Sequence, residues 1–273
     1  LTDRSVQLDS QGHLHLAYGG DHLYHAWHDG AVWQVETVDL APDVGAYAAL
    51  ALDSADRLHI SYYDAAGGAL KYAVSAEPAG VWQIETVDRV GNWYGHGHTA
   101  LALDSAGRPH ICYYDYEEDI LKYTWREAEG WQSPAILFED GGEHSALALD
   151  AAGWPHLVYL VSQLGAMRHV WYDGYDWQGE WIEEGVNLLG YPSLALDAAG
   201  HPAVVYVDGY SDYDLRYAWC DDKGWQVATV DGAGGWYPSL ALDVAGAPHI
   251  SYYVNGELRY AAQAQDGTTW EIQ

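Results

Sequence analysis

The sequence predicts an all-β chain built as a six-bladed β-propeller with four-stranded blades, and three observations predict it. Hydrophobic residues make up 49% of the 273 positions, yet they run in strand-length stretches rather than helix-length stripes, with 14 Trp and 23 Tyr against a single Phe. One phrase recurs six times, anchored on Asp9, Asp53, Asp104, Asp150, Asp197 and Asp243, a period of about 46 residues. Each copy offers four short strands separated by turn residues, which is the pattern of one propeller blade.

The elements follow in order within each copy. Strand A is a short apolar run that ends at the anchoring Asp, as in Leu101 to Asp104. The A–B turn, Asp104 to Pro109, carries its own chemistry: the Asp oxygen accepts from backbone amides two or three residues on, Gly107 takes a positive φ, and Pro109 opens the next strand. Strand B bears a His six residues after the Asp in five copies, at His15, His59, His110, His156 and His249, with Ala203 in the remaining copy. It also bears a Tyr nine residues after the Asp in all six, at Tyr18, Tyr62, Tyr113, Tyr159, Tyr206 and Tyr252. Strand C reads Leu-Lys/Arg-Tyr-Ala, as at Leu70 to Ala73 and Leu215 to Ala218, and strand D begins at Trp33, Trp82, Trp131, Trp177, Trp225 and Trp270.

A feature present in every copy is most economically a packing or turn device. The recurrent histidines are therefore expected to be hydrogen-bonded structural groups, tied to the strand-A Asp, and the Tyr and Trp series to fill the core and the blade interfaces. One propeller is expected over residues 1–273, with blades near 1–47, 48–97, 98–144, 145–191, 192–237 and 238–273. Fewer residues separate the last Trp from the first Asp, taken across the chain ends, than separate any internal pair. No strand-swapped closure is expected; the final outer strand is short, the chain is cut from a longer one, or another subunit completes the edge.

Ser239 to Tyr253 and its five counterparts resemble a repeat of bacterial secreted and cell-surface β-propellers, written roughly S-L-A-L-D-x-x-G-x-P-H-I-S-Y-Y-D, followed by L-K-Y-A and a Trp strand. The resemblance covers essentially the whole chain. It implies the propeller fold and a secreted or cell-surface location, and it carries over no catalytic residues. The phrase is more distantly similar to Asp-box propellers such as sialidases, but here the Asp-x-x-Gly turn joins A to B and lacks their following Trp.

Composition bounds the partners. A formal net charge of −29, from 40 acidic against 11 basic residues, disfavours nucleic-acid phosphates and anionic membrane surfaces, and no apolar stretch reaches the length of a membrane-spanning helix. The charge suits an extracellular or salty setting or cation binding. The chain begins at Leu1 and is expected to be a mature or trimmed product. Cys112 and Cys220 lie in different copies, too far apart to bridge.

Function is expected where copies differ and where the D–A and B–C loops converge. Six residues before the anchoring Asp stand Asp3, Tyr47, His98, His144, Tyr191 and Tyr237, a ring on the loop face. Near His98 and His144 lie Trp93, Tyr94, His96 and Glu143, none required by the repeat, and Trp236 adjoins Tyr237. A polar, aromatic-lined binding mouth is expected there; imidazoles with a carboxylate also suit zinc, and a plain plugged channel is the remaining alternative. The B–C loops interleave tyrosines with acids, as in Tyr114, Asp115, Tyr116, Glu117, Glu118 and Asp119. Tyr114 and Asp115 join the candidate ligand-binding set. Asp115, Glu117 and Asp119 form a candidate calcium set, although the loop lacks the Gly and terminal Glu of an EF-hand.

No catalytic constellation stands out from the repeat. A sialidase-like site needs converging arginines, whereas of the eight here Arg168, Arg216 and Arg259 sit on strand C, Arg57 and Arg108 in A–B turns, and Arg89 in a D–A loop. The sequence therefore points to a non-catalytic extracellular binding module, taking a glycan through its loop face. The alternatives are a building block of an extracellular array, self-associating through outer blade edges or meeting a protein partner, and a propeller hydrolase such as a glycosidase. No cofactor is expected beyond the calcium candidate.

Overall fold

The computed structural model describes residues 5–76, 81–91, 98–138, 141–142, 144–185, 188–209, 213–264 and 269–273. Its strands form six antiparallel sheets, each made of consecutive strands of one repeat, the architecture of a six-bladed β-propeller. Among the described residues each sheet is built from consecutive strands, with none borrowed from a distant part of the chain. The chain divides into two compact units, Leu1–Glu139 and Asp140–Gln273, with three blades each. Among the described residues no helix is long and apolar enough to cross a membrane.

In the first unit, blade one comprises β1 (Val6–Leu8), β2 (Leu14–Gly19), β3 (Leu23–His28) and β4 (Trp33–Asp39), and blade two comprises β5 (Val44–Leu52), β6 (Leu58–Asp64), β7 (Ala69–Ser75) and β8 (Trp82–Arg89). Blade three has β9 (Thr99–Leu103), β10 (Pro109–Asp115) and β11 (Ile120–Glu127), and its outer strand is split into β12 (Gly130–Trp131) and β13 (Ala135–Phe138). Pro134 lies in the break, where a residue without an amide N–H cannot continue the ladder.

In the second unit, blade four is β14 (Ser145–Leu149), β15 (Pro155–Val161), β16 (Ala166–Tyr172) and β17 (Trp177–Glu183), and blade five is β18 (Leu188–Leu196), β19 (Pro202–Asp208), β20 (Leu215–Asp221) and β21 (Gly224–Asp231). Blade six is β22 (Trp236–Leu242), β23 (Pro248–Val254), β24 (Glu257–Gln263) and the short β25 (Trp270–Ile272).

The A–B turn is as expected in kind and tighter in detail. In all six copies one oxygen of the anchoring Asp accepts from the amides two and four residues on, for example Ala106 at 2.9 Å and Arg108 at 2.8 Å for Asp104. Gly107 has φ +74°, a left-handed conformation that a side chain resists.

Cores form between successive blades of a unit. Leu23, Val44, Leu50, Ile60 and Tyr62 pack blade one on blade two; Leu70, Leu101, Ile111 and Tyr113 pack two on three. Val158, Met167, Leu194 and Tyr206 pack four on five; Val205, Leu215, Ile250 and Tyr252 pack five on six. Leu258, on β24, is 79% exposed where its counterpart Leu215 is fully buried.

The recurrent Tyr does more than fill space. Its hydroxyl donates to a carboxylate at the end of strand D in the preceding blade: Tyr62 to Asp39 at 2.8 Å, Tyr113 to Asp88 at 2.6 Å, Tyr206 to Glu183 at 2.5 Å and Tyr252 to Asp231 at 2.7 Å. The strand-C cation closes on the same carboxylate, Lys71 on Asp39 at 3.1 Å, Arg216 on Glu183 at 2.8 Å and Arg259 on Asp231 at 3.1 Å. Each clasp joins two blades with a charge-assisted hydrogen bond. Burial, and then the carboxylate partner, push the Tyr62 and Tyr206 phenols well above their ordinary range and keep them protonated.

The recurrent His is structural, but its nearest partner is not the Asp. Nδ1 of His59 and of His110 meets the hydroxyl of Tyr72 and of Tyr123 across the sheet, while Nε2 lies 3.6 Å and 3.8 Å from Asp53 and Asp104. In blades one and four a second His replaces that Tyr. His15 meets His25 at 2.9 Å, which meets Glu36 at 2.9 Å; His156 meets His169 at 3.1 Å, which meets Glu180 at 3.2 Å. Burial holds these imidazoles below their usual pKa, His110 and His156 at about 4. Cys112 and Cys220 are not joined by a disulfide.

Candidate functional site

The inner strands create the most unusual backbone in the molecule. In β5, β18 and β22 the register with strand B slips, so that Tyr47 and Ala48, Tyr191 and Pro192, and Tyr237 and Pro238 each face one residue, the recurrent Tyr62, Tyr206 or Tyr252. These are β-bulges, which turn a side chain out of the pleat. The first residue of each pair is held at positive φ: Tyr47 at +53°, Tyr191 at +58° and Tyr237 at +52°. A bulky aromatic in this region is strained by about 1–3 kcal/mol.

The bulges bring ring residues together along each unit. In the first unit Tyr47 meets His98 edge to face, with centroids 4.3 Å apart. In the second, His144, Tyr191 and Tyr237 form an arc with successive centroids 4.9 Å apart. Trp236 extends the arc, 6.4 Å from Tyr237, and Tyr213 packs beyond it at 5.2 Å with its ring tilted by 36°. Tyr237 is 58% exposed, Tyr213 is exposed, and Trp236, Tyr191 and His144 are half-buried. Such an arc offers ring faces to apolar C–H surfaces and phenol and imidazole edges to hydroxyl groups.

The structure thus joins His144, Tyr191, Trp236 and Tyr237 in one arc and places His98 against Tyr47. Trp93, Tyr94, His96 and Glu143 lie outside the described residues. Tyr114 and Asp115 must be reassigned from ligand-binding surface to buried structure. The Tyr63 hydroxyl accepts from the Tyr114 amide and donates to its carbonyl, both at 3.0 Å, and the Tyr114 hydroxyl donates to Asp119. Asp115 is 1% exposed; Lys122 occupies one oxygen at 2.6 Å and the Glu117 and Glu118 amides occupy the other. Of the candidate calcium set, Asp115 is buried against Lys122, Asp119 accepts from the Tyr114 hydroxyl, and Glu117 is exposed. Among the described residues no three metal-binding side chains gather at one point. The sequence places Tyr213 in a second B–C loop of interleaved tyrosines and acids, Asp208 to Asp214, but nothing in the repeat marks a B–C loop residue as a neighbour of strand A.

Comparisons place the fold but not a family: no family model matches the chain, and no curated protein matches it. Solved structures are similar over nearly its whole length. AofleA from Arthrobotrys oligospora aligns with TM-score 0.67 and 11% identity, over 98% of this chain and 84% of that one. A polysaccharide lyase, an ulvan lyase, aligns with TM-score 0.70 and 11% identity, over 100% and 82%. The Aleuria aurantia lectin, solved with Fucα1-6GlcNAc, aligns with TM-score 0.59 and 10% identity, over 98% and 93%.

At such identities the likeness is one of fold. It nonetheless overturns the expectation of a non-catalytic chain, because that expectation took a repeat spanning the whole chain as an argument against catalysis. A polysaccharide lyase and a lectin both align on these blades; the scaffold does not separate the two classes.

Proposed function

We propose that the protein binds carbohydrate through the aromatic arc of its second unit, His144, Tyr191, Tyr237, Trp236 and Tyr213. The observation that carries this reading is the pair of left-handed tyrosines in contact, Tyr191 half-buried and Tyr237 exposed. Blades two, five and six share the bulge, each with a left-handed Tyr as its first residue. Tyr237 is too exposed to be core. Backbone strain held at exposed aromatics that touch one another belongs to binding surfaces. Sugar rings fit such a surface, since their C–H faces stack on aromatic rings while their hydroxyls meet phenol and imidazole. A lectin of the same fold lends support.

A titration of a broad glycan panel, followed by tryptophan fluorescence and calorimetry, tests the reading. A saturable ligand whose affinity falls tenfold or more in Trp236→Ala and Tyr237→Ala is expected. Absence of binding at millimolar sugar, or binding by both variants as tight as by the parent, overturns it.

A further inference from the structure

We infer that the groove between blades two and three of the first unit, at the end carrying the A–B turns, is a second binding site, for a single uncharged, hydroxyl-rich sugar ring. Its ligand class rests on the carbohydrate reading above; its location does not.

Three departures from the repeat coincide there. The fourth residue after the anchoring Asp is His13, Trp154, His201 or Ala247 in the other copies, but Arg57 and Arg108 in these two adjacent blades. Arg126, at the end of β11, is the third. Three of the chain's 11 basic residues thus line one cavity of about 390 Å3, within the range of small-molecule sites, about 300–1,000 Å3. The two turns lie side by side: a Cβ on Gly107 would sit 3.7 Å from that of Asp53, at ordinary contact distance.

The arginines are held in place with donors to spare. Arg57 gives only its Nε to Asp53, at 2.7 Å, and Arg108 only its Nε to Asp104, at 2.5 Å. Among the described residues no protein group takes their terminal amino groups, and both side chains are about half exposed. Arg126 grips Glu85 through Nε at 3.1 Å and Nη2 at 3.0 Å, and the Trp131 indole N–H fixes Glu85 from behind at 3.0 Å. Gln83 and Glu127 add polar groups to the lining, and Val74, Pro109 and Ala128 supply an apolar wall.

The charge balance selects the ligand. Every guanidinium is paired with a carboxylate, Glu127 adds a further acid, and the whole chain carries −29, so an anion gains no net attraction and meets long-range repulsion. A neutral polyol loses no charge hydration, takes hydrogen bonds from the free amino groups, gives them to carboxylate oxygens, and lays its C–H face on the wall.

The Trp131 indole N–H is the reporter, because it is bonded to Glu85 inside the groove, and the Trp236 indole reports on the arc. Neutral monosaccharides, uronic acids and sulfated sugars are titrated into the 15N-labelled protein. Neutral sugars are expected to shift the Trp131 signal saturably, with affinity reduced tenfold or more in Arg126→Met and Arg108→Gln and unchanged in Tyr237→Ala. A Trp131 signal that stays still while Trp236 moves overturns the groove alone, and the converse overturns the arc alone. Silence of both overturns both, and a response of Trp131 only to charged sugars overturns the neutral assignment.

Discussion

Acid should unfold this protein through its buried imidazoles before its carboxylates are protonated. His110 is buried against Tyr123 and Asp104, and burial lowers its pKa from 6.5 to about 4. The unfolded chain therefore binds more protons than the folded one between these values, so stability rises with pH across the window and falls as pH drops through it. Linkage with these two values makes the loss from pH 7 to pH 5 about 2 kcal/mol for this one group. His156, also at about 4, contributes a similar loss. His110→Gln removes the titration while leaving a polar partner for the Tyr123 hydroxyl. Urea unfolding at pH 7 and pH 5 should show the parent losing about 2 kcal/mol more than the variant. An equal loss in parent and variant would refute the argument that burial of this imidazole costs the charged form.

Three further outcomes follow from the same geometry. Tyr237→Gly relieves a left-handed aromatic, so thermal stability should hold or rise by up to about 1 kcal/mol while carbohydrate binding is lost; a clear destabilisation would show that Tyr237 is packing rather than surface. Asp39→Ala strips the Tyr62 hydroxyl of its acceptor and leaves the Lys71 ammonium with Asp64 alone, at 3.3 Å, and should cost about 1–3 kcal/mol in chemical denaturation, with no measurable cost counting against the clasp. Leu215→Ala should cost about 2–5 kcal/mol and Leu258→Ala under about 1 kcal/mol, because one side chain is fully buried and the other 79% exposed.

The turn chemistry was legible because it is local. Asp104, Gly107 and Pro109 complete their geometry within six residues, and six copies make the pattern visible in a single chain. The role of the recurrent Tyr was half legible: nine residues after an Asp it reads as core, but the carboxylate it grips, Asp39 for Tyr62, lies 23 residues upstream. The arc was found because its residues occupy one place in the repeat, which is why Tyr191 and Tyr237 were paired and Tyr213, in another loop, was not. Tyr114 and Asp115 misled for the opposite reason. Their loop is unlike its sisters, and its acids look free until Lys122 on the next strand is seen to fold back onto Asp115.

What the sequence determined by itself was the blade: its strands, its Asp turn, its number of copies and its all-β class. Those follow from short-range hydrogen bonding and a period that repeats, and both can be read along a chain. The tertiary structure alone decided which copies touch and what their differences do when they meet. The bulges that force three tyrosines into left-handed backbone depend on register between strands. The groove of Arg57, Arg108 and Arg126 depends on turns 51 residues apart lying side by side, a proximity that only the packing of blade two on blade three creates.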